Sequence, residues 1–294
     1  MIASAKRAHP PRARVLDGPG ARYRALGSVA VGISLILLGL HVFGMTPGIG
    51  GAAFEQPSVR HPLGTDGRGA DLLALIAAAQ TTFVLPALIA CAVGIVAGVA
   101  AGLAAAWYEG RIGALIRFAA VLIGTFPRIV LLVLIAIAFE PSFNGAAVAV
   151  GVTFFPNIMG EVRQRVADLK RMEFVTALRA HGIGLWRVIF VHLLRGHLMG
   201  HVTRQAFFLM AYVVLIEASF GYLGALRYNW DAFAGDGEPR AEGLGRILAQ
   251  ALSRASIADL GSWWPVAMAG AFLVILLGGL AALGEGVVQG AEEA

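Results

Sequence analysis

Long apolar runs separated by polar blocks set the plan of this chain. Apolar residues dominate at approximately 25–44, 81–106, 113–139, 144–160, 198–221 and 263–284. A helix needs roughly 20 apolar residues to cross a hydrocarbon layer about 30 Å thick, so the pattern predicts six membrane spans. The fourth run is the shortest, and Pro156 and Asn157 interrupt it near one end. Three polar blocks hang on these runs: a turn-rich block after the first, a segment at 161–197, and a Gly- and acid-rich loop at 224–262. In the first block, "HPLGTDGRGADLLALI" reads as a turn with Thr65 or Asp66 capping a short helix from about Gly69.

Composition agrees with the pattern. The 294 residues are 58% hydrophobic and 14% charged, whereas soluble domains carry about a quarter charged residues. The expected fold is an all-α integral membrane protein. A net charge of +5 raises nucleic acid as a partner, but in a membrane protein the distribution of charge matters more than its sum. The N-terminal 24 residues hold Lys6, Arg7, Arg12, Arg14, Arg22 and Arg24 against Asp17 alone. That flank is too long for a secretory leader and lacks a small-x-small cleavage site, so an uncleaved first span is expected, with its N-terminus in the cytoplasm. Six crossings then put 161–197 and the C-terminus in the cytoplasm too. The segment carries Arg163, Arg165, Lys170, Arg171, Arg179, Arg187 and Arg195 against Glu161, Asp168 and Glu173, while 224–262 sets four Arg against five acids. Charge and span count agree. The expected organisation is a basic tail 1–24, a first transmembrane helix 25–44, a periplasmic segment 45–80, a transmembrane core 81–289 and a tail 290–294.

Several chemistries are excluded. The single Cys91 allows neither an internal disulfide nor a thiolate metal cluster. There is no G-x-x-x-x-G-K-[ST], so the chain has no phosphate-cradling loop of its own, and no H-E-x-x-H or paired intramembrane carboxylates. Gly94, Gly98 and Gly102 fall four apart on one face of the second span. That is a surface for close helix packing, within the bundle first and at a subunit interface or pathway second.

The segment "EFVTALRAHGIGLWRVIFVHLLRG", 173–196, is too polar to cross a membrane. Phe174, Ala177, Leu178 and His181 recur at helical spacing among charges, and Gly182 and Gly184 then break the run. Gly182 suits a left-handed helix C-cap. Two short helices meeting at a glycine form a knob whose apolar stripe needs cover, from a partner protein or from lipid headgroups.

This segment resembles the loop that couples the permeases of binding-protein-dependent ABC importers to their ATPases, in the dipeptide/oligopeptide/nickel family. The family reads E-Y-V-x-A-A-R-A-x-G-x-x-x-W-R-x-x-x-x-H-x-L-P. Glu173, Val175, Ala177, Arg179, Ala180, Gly182, Trp186, Arg187, His192 and Leu194 fall on it over 22 positions without a gap. "HPLGTDGRGADLL" resembles the family's H-P-L-G-T-D-x-x-G-R-D-x-L, "EASFGYLG" (217–224) its E-x-x-L-S-F-L-G, and "LGEG" (283–286) its L-G-D-G. The resemblance spans about 61–289 and is nearest the C-type partner of a permease pair.

The resemblance implies a type I importer permease with six transmembrane helices and a cytoplasmic coupling helix. It implies a second homologous permease, one or two ATPase subunits that bind ATP and Mg, an extracytoplasmic substrate-binding protein, and location in a bacterial inner membrane. No cofactor belongs to this chain. Peptides are the family's majority cargo, with nickel, sugars, glutathione and peptide-like antibiotics open. On this reading Phe174 and Leu178 fill a groove on the ATPase, and Gly182 sets the angle between the two short helices. Ala177 and Trp186 belong to the same contact. Glu173 pairs with a basic group there or caps its own helix, and His192 is a hydrogen-bonded structural group or a pH-sensitive contact.

Ionisable residues within spans are costly and mark function. Arg128, after Pro127 in the third span, suits an acid on the partner permease or a carboxylate or phosphate of the solute. Glu217 in the fifth span is a candidate for such an acid or for a structural lock. Glu140 and His41 sit near outer span ends, and Pro86 and Pro127 are expected as local kinks. Tyr228, Trp230 and Phe233 face the binding protein or belong to a lid. Arg195, Ala70, Phe155, Gly160 and the ending after "LGEG" depart from the family pattern, which marks a divergent member. The rival classes are an ATP-independent secondary transporter and a non-transporting membrane scaffold.

Overall fold

The computed structural model describes residues 19–45, 51–108, 110–131, 143–173, 181, 198–227, 243–254 and 263–292. Eight helices are named within them: α1 Pro19–Val42, α2 Leu72–Ala79, α3 Thr81–Trp107, α4 Arg111–Thr125, α5 Phe143–Lys170, α6 Met199–Arg227, α7 Leu244–Arg254 and α8 Trp264–Glu292. The described residues contain no strand, only an isolated bridge between Thr65 and Asp71. Four stretches are long and apolar enough to cross a membrane: Gly20–Val42, Leu72–Trp107, Met199–Tyr222 and Trp264–Gly290. This is a multi-pass, all-helical membrane protein.

Two helix pairs organise the bundle. In α3 and α5, which run parallel, the glycine face closes on its neighbour. A Cβ added at Gly94 would lie 3.0 Å from the carbonyl oxygen of Gly151, and one at Gly98 would lie 2.6 Å from the Ile158 side chain. At Gly102 it would lie 2.7 Å from Val162. Gly151 faces back in the same way, 2.7 Å from the Ala90 carbonyl. Neither helix can move away without losing the dispersion contacts that hold helices together in lipid. Ala90, Cys91, Phe154, Ile158, Val162 and Leu209 fill the core that α3 and α5 share with α6.

The second pair is α1 with α8, antiparallel. Gly20 and Gly27 on α1 face Gly290 and Gly279 on α8, and Gly286 faces Arg24. The spacing of seven between Gly20 and Gly27, and between Gly279 and Gly286, keeps one seam facing the partner along both helices. Arg24 Nη1 donates to the Gly286 carbonyl at 3.1 Å. A second core joins α2, α6, α7 and α8 through Leu72, Ile76, Val214, Leu244, Ile247 and Leu276.

Several expectations change in detail. The first helix begins at Pro19 and ends at Val42 rather than spanning 25–44. The short helix after the turn is capped by Asp71, whose side chain accepts from Ala74 N, and not by Thr65 or Asp66. Those two build the turn instead. Thr65 Oγ1 accepts from Glu55 N at 2.8 Å and donates to the Ala52 carbonyl at 2.5 Å. Asp66 Oδ1 accepts from Arg68 N and Ala70 N. The turn needs Gly69 at φ +78°, where a Cβ would run into the Gly51 carbonyl.

The end of segment 45–80 is the helix α2, packed into the bundle. Leu72, Ile76, Ala77 and Ala79 of α2 are fully buried. The two prolines behave differently. Pro86 sits inside α3 without ending it, while α4 stops at Thr125 and Phe126 is extended at φ −78°, ψ 136° just before Pro127. That is the conformation a following proline imposes. The third predicted span is therefore interrupted, a helical turn resumes at Arg128, and Glu140 lies outside the described residues. The loop 224–262 contains α7, whose Leu244, Ile247 and Ala251 are buried. Tyr228, Trp230 and Phe233 lie outside the described residues.

The glycine seam gives a direct prediction. Gly98→Leu forces atoms into Ile158 and should cost about 1–3 kcal/mol as overpacking does. Gly160 on α5 has no heavy atom within 4 Å of an added Cβ, so Gly160→Ala should be neutral or stabilising. Thermal unfolding in detergent, followed by intrinsic fluorescence, should show a lower midpoint for the first variant alone.

Candidate functional site

The segment 173–196 is approached along α5. This helix carries the chain through to Lys170, then turns, with Arg171 N donating to the Asp168 carbonyl. Glu173 follows as an exposed residue. Phe174, Ala177, Leu178, Gly182, Trp186 and His192 lie outside the described residues, so the stems of the segment are what the fold displays.

Both stems are tied by polar contacts. Lys170 Nζ donates to the Ala106 carbonyl at 2.6 Å, in the last turn of α3. A cation there meets the unsatisfied carbonyls of a helix C-terminus. Nine residues earlier on the same helix, Glu161 reaches across to α6. Its Oε1 accepts from Arg204 Nη2 at 2.7 Å and lies 3.2 Å from His201 Nδ1. Its Oε2 accepts from Gln205 Nε2. His201, Arg204 and Gln205 are spaced three and four apart, so they share one face of α6. Ile158, Val162, Leu198 and Val202 surround the cluster with apolar side chains.

This cluster was absent from the sequence-based candidates. Its signal was available: Arg204 is an ionisable group inside a predicted span, with His201 one turn before it. Such groups find a partner or a cavity.

Arg128 stands elsewhere. Its guanidinium carbon lies 4.4 Å from the centre of the Phe154 ring and 5.7 Å from that of Tyr212. The two rings are 4.9 Å apart and inclined at 60°. They present their negative faces to the cation. The break before Pro127 places Arg128 in the first turn of the resumed helix, beside α5 and α6 rather than along the α4 axis.

Glu217 lies in the C-terminal half of α6, against the start of α7. The Leu244 N–H donates to its carboxylate, with the Thr82 hydroxyl beside it. The approach is so close that a Cβ at Gly243 would overlap Glu217 Oε1. Its Oε2 is shut off from solvent. A negative group at a helix N-terminus is favoured by the aligned N–H groups, so this contact ties α7 to α6. Glu217 and Arg128 thus have separate neighbours. Nearby, Ser34 Oγ on α1 donates to Gln80 Oε1 in a buried contact at 2.5 Å.

No family model matches the chain. Curated relatives are permease proteins of transport systems. An Escherichia coli protein named as a D,D-dipeptide transport system permease is 26% identical over 236 residues, 80% of this chain and 74% of the relative. The dipeptide transport system permease protein of Alkalihalophilus pseudofirmus is 29% identical over 170 residues, 58% of this chain and 56% of the relative. The glutathione transport system permease protein of Pectobacterium atrosepticum is 27% identical over 172 residues, again 58% and 56%.

A double-mutant cycle checks the geometry of the two intramembrane charges. Arg128→Met with Phe154→Leu should show a coupling of about 0.5–2 kcal/mol, the range of a cation over an aromatic ring. Arg128→Met with Glu217→Gln should be additive within about 0.5 kcal/mol, as for sites that share no partner. Thermal stability of the purified protein gives both numbers. Strong coupling between Arg128 and Glu217 would contradict the arrangement described here.

Proposed function

We propose that this chain, a divergent homologue of the permease proteins of peptide transport systems, is the membrane-spanning permease subunit of an ATP-driven importer for peptides or peptide-like solutes. The observation that carries the reading is the segment 173–194. It agrees with the family's coupling loop over 22 positions and follows directly on α5. The chain has no phosphate-binding loop, so ATP and Mg are bound by a separate ATPase. Its closure reaches this chain through Phe174, Ala177, Leu178 and the helix angle at Gly182. A second permease completes the pathway, and an extracytoplasmic binding protein delivers the solute.

Six crossings put both termini and the segment 161–197 in the cytoplasm of a bacterial cell, with the membrane being the inner one. The polypeptide then needs only two arrangements of its helices, and the ATPase biases the equilibrium between them. Arg128, held over Phe154 and Tyr212, is on this reading a group of the solute pathway or of the permease–permease contact. Peptide cargo is favoured by the named activities of the relatives. A coupled ion is not needed, because the energy comes from ATP.

Affinity purification from the native membrane, followed by mass spectrometry, tests this. A second permease and one or two subunits carrying a phosphate-binding loop should co-purify. Gly182→Trp should release the ATPases while leaving the second permease bound, because only the knob outside the bilayer is misaimed. Recovery of the chain alone, under conditions that keep other multisubunit transporters whole, would falsify the importer reading and bring the ATP-independent transporter forward.

A further inference from the structure

We infer that Glu161, Arg204, Gln205 and His201 form the clamp through which the coupling segment moves α5 and α6 as one body, so that these are positioning residues in energy coupling. The inference rests on the function proposed above. Force applied to the segment 174–197 reaches the described bundle along its two stems, α5 ending at Lys170 and α6 beginning at Met199. Those stems share one core with α3 but differ in their main neighbours. α5 lies chiefly along α3 on the glycine face, while α6 packs against α3, α7 and α8.

The direct contact between α5 and α6 is narrow by comparison with either of these. Deeper in the bundle α6 meets α3, where Cys91 Sγ donates to the Ala206 carbonyl at 3.4 Å and Leu209 sits against Gly94. At the stem end the polar link across α5 and α6 is Glu161.

The geometry suits a transmitter rather than a passive tie. Both carboxylate oxygens are engaged, Oε1 by Arg204 and Oε2 by Gln205, and His201 Nδ1 lies 3.2 Å from Oε1. A carboxylate held at both oxygens from one turn of the facing helix fixes rotation and sliding together, and its charge-assisted bonds are stronger than neutral ones. Arg204 extends the connection to α8, where a Cβ at Gly284 would meet its Cγ and backbone oxygen at 3.4 Å. Lys170 anchors the same stem to α3. One displacement of the coupling segment is thereby delivered to α3, α5, α6 and α8. Without Glu161 the two stems keep only apolar contact, through Val162, Val166 and Leu198, at the end where the force enters.

The test uses the whole complex, purified with its co-purifying subunits and placed in lipid nanodiscs. Spin labels go on cysteines at Val148 and Ser219, exposed positions toward the far ends of α5 and α6, in a Cys91→Ser background. ATP with vanadate should shift the distance between the labels in the parent complex. Glu161→Gln should keep ATP hydrolysis and lose that shift. The exchanged pair E161R/R204E should restore it, since the Gln205 amide can turn its carbonyl to the new guanidinium.

A full shift in Glu161→Gln overturns the clamp and leaves the importer reading intact. Absence of any ATPase subunit from the parent complex overturns the importer reading, and the clamp with it. Where Glu161→Gln does not assemble, the exchanged pair decides: an assembled complex that shifts supports the clamp, and one that does not shift overturns it.

Discussion

Lipid tails are as apolar as leucine, so burial gives helices in a bilayer little reason to associate, and closeness of backbones takes its place. In this protein that closeness is set by α3 and α5, where Gly94, Gly98 and Gly102 meet Gly151, Ile158 and Val162. The rest of the bundle depends on it. The depth at which α5 lies against α3 puts Phe154 under Arg128, turns Glu161 toward α6 and brings Lys170 to the last turn of α3. Side chains at those glycines would push α5 outward and separate all three contacts together.

Within that frame, the polar groups of the bundle divide by depth. Toward one end Lys170 and the Glu161 cluster join helices where the segment 174–197 leaves α5. Midway, Arg128 is matched by ring faces rather than by a carboxylate. At the opposite end Glu217 holds the start of α7, and Asp71 caps α2 while its Oδ2 lies 2.8 Å from His61 Nδ1. Apart from those of Asp71, which are local, these contacts join segments far apart in sequence, and each satisfies a group that would be expensive to leave unpaired in an apolar medium.

Much of this was legible in the residues. The apolar runs for α1, α3, α6 and α8 are long enough to stand out from any neighbouring signal, and the glycine spacing of α3 named its packed face. What was missed has physical reasons. The α7 sequence places Leu244, Ile247, Leu248 and Ala251 at helical spacing, but the surrounding Gly- and acid-rich residues hid an element only 11 residues long. The cap at Asp71 was hidden by two better-placed turn residues, Thr65 and Asp66, whose side chains serve the turn itself. Glu161 was counted as one charge in a polar block, since a sequence does not reveal which side of α5 faces α6. Arg128 was matched with acids because a cation suggests an anion; the aromatic alternative needs Phe154 and Tyr212 to be brought together from 58 residues apart in the chain.

The pairing of α1 with α8 has a consequence in time. The small-residue seam on α1, from Gly20 to Ala30, is completed by Gly279, Gly286 and Gly290, about 250 residues later. At ribosomal rates of about 5–20 residues per second, that interval is on the order of tens of seconds. Throughout it α1 sits in the bilayer with its closest-packing face open, and any chaperone or insertase that reads unpaired glycine seams has a window in which to hold it. A chain cut short before α8 keeps that face open permanently. The α1 seam is therefore completed only when α8 has been made and inserted.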